Sequence, residues 1–355
     1  MLKHVVTAAF LGATLTVLSS DAAAQQGASN DLRKFFESRE IPVSTDNFVR
    51  AATDIEFGKY VALSGGINKV LHIREPTPID QQPTIRMNRD TLYSMAVIDI
   101  TEGATLTLPD GGDRYISAQI VNQDHYMNKV FLGAGTYELD TGTFDTPFVV
   151  MIARLLVDAS DPDDIAQVSA LQDKIILEAK SETPFIVPNY DEESFDGVLQ
   201  AALSLSRFIP DSRDTFGAKG EVDPIRHFLG AAFGWGGLPE ESAFYLSIDP
   251  NRPIGEYEIN VPASVPVDAF WSVSVYNADG FFEENEIGVY NVNSVSGTEN
   301  DDGSMTVHLG GCDDGRINCI SLTDGWNYAV RLYQPGPEIL DGTWAFPEAV
   351  PVSMD

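Results

Sequence analysis

The chain has 355 residues, 43% hydrophobic and 10% aromatic, which is ample for buried cores and excludes global disorder. That length exceeds one small core and implies two or three domains. With 53 acidic against 22 basic side chains, the formal charge is −31, a surface that repels nucleic acid and anionic membranes.

The amino terminus reads as a targeting signal. Lys3 and His4 precede an apolar run from Val5 to Leu18, and Ala22, Ala23 and Ala24 offer small residues for cleavage before Gln25. The run is short for a membrane span, and no later apolar stretch is long enough for one. We expect a signal peptide at 1–24 and an exported protein, periplasmic or extracellular, with no integral membrane span. Cleavage removes Lys3 and Asp21 and leaves the charge balance unchanged.

Residues 25–82 read as a leader followed by helices. Thr45 or Asp46 can cap a segment in which Phe48, Ala52 and Ile55 recur at helical spacing, and Ser64, Gly65 and Gly66 end it. From 83 to 160 the periodicity becomes that of strands. Thr105–Leu108 leads into Pro109-Asp110-Gly111-Gly112-Asp113, which reads as a hairpin turn. The return segment places Ile116, Ala118 and Ile120 on one face and Tyr115, Ser117 and Gln119 on the other. Phe148–Leu155 is a near-continuous apolar strand. Several short strands with turns between them describe a β-sandwich.

Residues 161–237 read as helical. Asp161-Pro162 opens one helix and Asp223-Pro224 another, each with a capping aspartate and proline at the first helical position. Phe195, Val198, Leu199, Ala202 and Leu205 mark a helix between them, and Ile225, Phe228, Leu229 and Ala232 the buried face of the last. Strands return over 238–355. Trp326, Tyr328, Val330 and Leu332 alternate with Asn327, Ala329 and Arg331, and Asp-Gly turns punctuate a second all-β unit, a sandwich or jelly roll. The fold class is mainly β with helical segments.

Four polar clusters fall at element ends, where sites tend to form. Arg86, Asn88, Arg89, Asp90, Thr91 and Tyr93 crowd the mouth of an apolar strand. If that stretch is extended, Arg86, Asn88 and Asp90 share one face, and Arg89, Thr91 and Tyr93 the other. Either an arginine fork binds a carboxylate or similar anion there, or an internal Arg–Asp brace ties the first helix to the sandwich. Asn122-Gln123-Asp124-His125-Tyr126 is the second cluster. In it His125 is a general base oriented by Asp124, or a hydrogen-bonded structural histidine.

Arg226 and His227 lie in a first helical turn, where positive charge opposes the dipole and needs an anion: Asp90, Asp124 or a substrate. Trp235 follows within Gly234-Trp235-Gly236-Gly237, a turn that passes backbone close to a ligand or ends the helix. The fourth cluster is Trp271–Phe282, where Trp271 and Tyr276 read as core and Asn277 and Asp279 as turn residues. Cys312 and Cys319, separated by a short polar loop, read as a disulfide in an oxidising compartment. No metal or cofactor is expected. The chain has no Gly-x-Ser-x-Gly elbow, His-Glu-x-x-His helix or Walker loop.

At Arg86-Met87-Asn88-Arg89-Asp90-Thr91-Leu92-Tyr93-Ser94, joined by Asn122–Tyr126, the sequence resembles the bacterial domain of unknown function 1254. Val267–Asn277, Gly325–Tyr328 and Ile339–Trp344 resemble its usual companion, domain of unknown function 1214. Val222–His227 with Gly234–Gly237 looks like the pattern between them. The resemblance covers nearly the whole mature chain. It implies an immunoglobulin-like β-sandwich, a helical insert and a C-terminal jelly-roll β-sandwich. It brings no agreed activity, although some members carry hydrolase or carboxylesterase labels.

Two functions are open on this reading. One is a hydrolase acting on a small polar or anionic ligand between two β domains. Arg86, Asn88, Arg89, Asp90, Asn122, Asp124, Arg226 and Trp235 would line its site, and His125, His227 and Tyr93 would carry the catalysis. The other is a non-catalytic ligand-binding or envelope interaction protein, with the same residues bracing two domains.

Overall fold

Local signals place the helices where the chain can start and stop them. The protein is described here by a computed structural model covering residues 40–82, 85–209 and 211–352. The signal expected at 1–24 and most of the leader lie outside the described residues, as do Pro83 and Thr84. Helix α1 (Phe48–Ser64) precedes β1 (Leu71–Ile73), β2 (Thr91–Asp99), β3 (Ala104–Leu108), β4 (Ile116–Asn122), β5 (Lys129–Leu132) and β6 (Gly135–Leu139). The one-turn α2 (Thr141–Phe144), then β7 (Phe148–Leu156), α3 (Pro162–Gln172), β8 (Ile176–Ala179), α4 (Glu192–Ser206) and α5 (Pro224–Phe233) follow. The remainder comprises β9 (Ala243–Ile248), β10 (Tyr257–Val261), β11 (Val267–Tyr276), β12 (Asn291–Asn293), β13 (Met305–Leu309), β14 (Cys319–Ile320), β15 (Asn327–Pro335), α6 (Pro337–Leu340) and β16 (Val350–Pro351).

Asp161 and Asp223 cap α3 and α5 as expected, each accepting a hydrogen bond from a first-turn backbone N–H. Helix α1 differs. Its N-cap is Asn47, beyond Thr45 and Asp46, and the Asn47 side chain turns back to the Ser44 N–H and the Pro42 carbonyl. It ends as expected at Gly65, whose φ of 75° is left-handed. Ile225, expected on a buried face, is 70% exposed, and Leu205 of the preceding helix is 57% exposed. Each sits at a helix end, beyond the reach of the neighbouring helices.

The strands form two pairs of sheets, so the class is mainly β with helical segments. In the first pair, the sheet β1-β2-β7-β4-β5 lies over the sheet β6-β3-β8. Leu92, Ile98, Leu106, Ile120, Leu139 and Met151 belong to the core they share. In the second, β12-β11-β15-β9 lies over β14-β13-β10-β16, with Val273, Val330, Ile259 and Val307 in one core. Strand β8 falls within the stretch expected to be helical and pairs with β3. The turn at Pro109–Asp113 does not close a hairpin: β3 pairs with β6 and β8, whereas β4 pairs with β5 and β7. The burial patterns explain this. Strand β3 alternates buried and half-exposed residues, while every residue of β4 is buried, as a strand central to its sheet and covered on both faces must be.

Cys312 and Cys319 form the expected disulfide. Among the described residues no helix is long and apolar enough to cross a membrane.

Candidate functional site

Strand alternation sends half of each central strand toward its own core and half outward. On β7, Val149, Met151, Ala153 and Leu155 enter the first core, so Arg154 points to the opposite face of the sheet. On β15, Val330 and Leu332 enter the second core, so Arg331 and Tyr333 point outward. Neither outer face is left to solvent: Arg154 is 6% exposed and Arg331 is 5% exposed. Between them lies a cavity of about 950 Å³. Its walls include Arg86, Asn88, Tyr93, Arg154, the 234–237 turn, Tyr245, Arg331 and Tyr333.

This cavity is basic in an acidic protein. Five arginines line it (Arg86, Arg154, Arg207, Arg213 and Arg331) against Asp211 and Glu348. Arg213 pairs with Asp211 at 2.7 Å. Arg331 donates to Ser274 Oγ at 2.9 Å, Tyr276 Oη at 2.7 Å and the carbonyls of Arg86 and Met87 at 2.9 and 3.2 Å. Asp90 acts on it as a nearby negative charge.

Arg154 is served differently. It donates to Gln119 Oε1 at 2.8 Å and to the Gly236 carbonyl at 3.0 Å, and its guanidinium lies 5.5 Å from the centre of the Tyr93 ring. No carboxylate among the described residues forms an ion pair with it. A guanidinium has five N–H donors, and these two bonds leave the others open. Arg86 also has a buried Nη1 with no partner among the described residues. Burial and the neighbouring Arg331 push the Arg86 guanidinium down from its ordinary value. Burial pushes the Tyr245 and Tyr333 hydroxyls up, so both remain protonated donors.

The opening cluster is therefore divided. Arg86 has a φ of 54°, in the left-handed region, so the stretch before β2 is not extended and its faces do not alternate. Asn88 reaches Tyr333 Oη at 2.9 Å and Tyr93 Oη at 3.3 Å, which joins residues expected on opposite faces. Asp90 turns away from the cavity and is wholly buried. Its Oδ2 accepts from Ser272 Oγ at 2.6 Å and its Oδ1 from Asn291 Nδ2 at 2.7 Å. Arg89 donates to the Thr77 carbonyl, lies 5.1 Å from the Tyr290 ring centre and borders a separate cavity near the disulfide.

The other clusters form a polar layer behind the 234–237 turn. Asn122 builds the loop after β4: its Oδ1 accepts the N–H groups of Asp124 and Tyr126, each at 2.9 Å. Asp124 pairs with Arg50. His125 is wholly buried, and burial, then the neighbouring His227, hold its pKa well below the usual histidine range. Its Nε2 accepts the Gly236 N–H at 3.0 Å, so its proton resides on Nδ1.

His227 is also pushed down by burial. Its Nε2 lies 3.0 Å from the Asp124 carbonyl oxygen and so carries the proton. Each ring has a buried Nδ1 with no partner among the described residues. The anion that compensates Arg226 is Asp211, at 3.0 Å, and neither Asp90 nor Asp124. None of Asn122, Asp124, His125, Arg226 and His227 lines the cavity.

The turn links the two layers. Gly236 donates its N–H to His125 and offers its carbonyl to Arg154, and Gly237 accepts from Gln119 Nε2 at 2.7 Å. Gly236 has a φ of 76°, and a side chain at Gly237 would meet the Phe216 ring at 2.5 Å, so glycine is required at both. Trp235 stacks on His125 with ring centres 5.5 Å apart and lines the cavity.

Sequence reasoning missed Arg154, Arg331, Tyr245 and Tyr333. One signal was present: an arginine inside the near-continuous apolar run of β7 must be buried with its charge. Among the described residues no group of three or more His, Cys, Asp or Glu side chains is placed to hold a metal ion.

Residues 67–144 match the family model described as protein of unknown function DUF1254, and residues 249–337 match protein of unknown function DUF1214. The resemblance to both therefore holds, in the order expected. The crystal structure of the VPA0106 protein from Vibrio parahaemolyticus is similar at 16% identity, with a TM-score of 0.62, covering 87% of this chain and 98% of that one. At that identity the likeness is one of fold. An uncharacterized protein from Burkholderia cenocepacia aligns at 12% identity with a TM-score of 0.49, over 92% of this chain and 90% of that one. No curated protein matches the chain at a significant level.

Proposed function

We propose that the chain is an exported ligand-binding protein, and that the cavity between its two β units holds a small organic anion. The observation that carries this is Arg154: a buried guanidinium at a cavity of about 950 Å³, with open donors and no carboxylate partner among the described residues. A buried charge without a counter-ion is costly, and an anionic ligand is the natural compensation. Arg86 lines the same cavity, although its unpartnered Nη1 is buried within the protein. The disulfide and the expected signal at 1–24 support the export reading.

Binding is favoured over hydrolysis by the placement of the bases. His125 and His227 sit behind the 234–237 turn with their Nε2 atoms engaged by backbone groups. Of the three proposed catalytic residues, Tyr93 alone borders the cavity, and the Asn88 amide, from which its hydroxyl accepts at 3.3 Å, is not a base. The brace reading retains one specific support: Asp90, with both oxygens bonded to the second β unit.

The test is a thermal-shift and calorimetric screen of the mature protein against organic and inorganic anions, with neutral sugars as controls. A ligand at about 100 times its Kd adds about 2.7 kcal/mol of stability. Anions are expected to stabilise the protein and sugars are not, and Arg154→Met is expected to lose the effect. If no anion binds, or if Arg154→Met binds as the parent does, the reading is wrong.

A further inference from the structure

We infer that the occupant of this cavity is an amphipathic carboxylate, with its head on Arg154 and an alkyl or aromatic body running over the edge of the second β unit. The inference rests on the anion-binding reading above and adds the class of ligand.

Three observations lead to it. The first is size. A volume of about 950 Å³ is in the range that encloses drug-sized molecules and is far larger than a compact anion needs. The second is the charge balance. Arg213 has Asp211, Arg331 has Asp90 nearby, Arg86 has Asp249 nearby and Arg207 is exposed, which leaves Arg154 for the ligand. A single guanidinium fork suits one carboxylate, and Arg154 has donors left open at the cavity.

The third is the way the wall changes character. Strand β9 is the edge of its sheet, in the order β12-β11-β15-β9, and residues from both of its faces border the cavity. Tyr245, directly opposite Arg331 in the β9–β15 register, lies on the polar face with the arginines. Phe244 and Leu246 lie on the other face, packed with the apolar core of the second unit. The cavity therefore passes around a sheet edge from a polar chamber to an apolar one, where Trp344 and Phe346 continue the wall. A ligand filling both chambers needs an anionic end and an apolar end.

The edge also supplies backbone groups. The Gln334 N–H bonds to the Ser242 carbonyl, so residues 242, 244, 246 and 248 face β15 with their hydrogen bonds. Tyr245 and Ser247 then direct their backbone N–H and C=O groups to the free edge, which permits a polar linkage, such as an amide, in the ligand body.

The experiment titrates the mature protein with acetate, hexanoate, decanoate and decanol. Fluorescence is the readout, because Trp235 and Trp344 line the cavity. Affinity is expected to rise from acetate to decanoate by up to about fourfold per buried methylene. Decanoate should bind at least tenfold more tightly than decanol. Arg154→Met should remove that preference for the charged head, and Trp344→Ala should flatten the dependence on chain length.

Tyr245→Phe, which keeps the packing, is a second head-group variant if Arg154→Met fails to fold, and it should narrow the decanoate–decanol gap. Equal affinity for acetate and decanoate would overturn this inference and leave the anion site standing. So would binding of compact anions, such as citrate, without decanoate. If decanol matches decanoate in the parent protein, the proposed head-group contact is wrong. If no anion of any size binds, the anion-binding reading itself falls.

Discussion

Asp90 is wholly buried and both of its oxygens are taken, one by Ser272 and one by Asn291, while Arg331 nearby spends its donors on Ser274, Tyr276 and two backbone carbonyls. Arg154, on the facing sheet, is almost as buried but has two neutral acceptors, no carboxylate among the described residues and a void in front of it. The difference separates a brace from a site. In a brace, protein groups satisfy each polar atom and the elements are held together. Where donors are left facing a cavity, the protein has paid a desolvation cost that its own groups do not recover.

The largest expected effect tests the brace. Asp90→Ala leaves Ser272 and Asn291 without their acceptor and removes the negative charge near Arg331, and should cost about 3–5 kcal/mol in urea unfolding. A loss below about 1 kcal/mol would erase the contrast between the two regions. Arg154→Met tests the other side. Its stability loss should be smaller, about 1–2 kcal/mol, because only the Gln119 and Gly236 acceptors lose a donor. Calorimetry should show anion affinity falling tenfold to a hundredfold, about 1.5–3 kcal/mol.

The histidine layer behind the 234–237 turn sharpens the comparison through pH. His125 and His227 are held neutral by burial in the folded protein, with pKa values below the usual 6.5. Below about pH 6.5 the unfolded chain therefore binds protons that the folded one refuses, so stability falls as pH drops toward the depressed folded-state values. Each histidine contributes up to about 1.4 kcal/mol per pH unit in that window. Urea midpoints between pH 5 and 8 should follow this slope, and His125→Gln should reduce it; an unaltered slope would assign the titration to other groups. The smallest effect is expected of Asn88→Ala at the junction of the two regions. It removes the bond to Tyr333 Oη and should cost about 1 kcal/mol by urea unfolding, with a loss of anion affinity no greater than that of Arg154→Met.

Much of this architecture was legible in the residues. The stop at Gly65 and the caps Asp161 and Asp223 were written locally, because a cap acts within four residues of itself. The Cys312–Cys319 pair and the two family resemblances were equally plain. The Pro109–Asp113 turn was misleading because turn chemistry says that the chain reverses and not which sheet receives it.

By itself, the sequence determined the mainly β class, the strand periodicities and the unusual density of Arg, Asn and Asp before β2. Only the tertiary structure decided which of those polar groups share a void. Alternation along β4 and β15 reports which face a side chain takes, and a polar face ordinarily meets water. Here both faces are covered, so Gln119 and Arg331 are buried, and Arg154 meets Tyr93, Tyr245 and the 234–237 turn, as no local pattern could specify. Burial of a polar face depends on what packs against it from distant parts of the chain, and the same contacts that hid Asp90 left Arg154 facing open space.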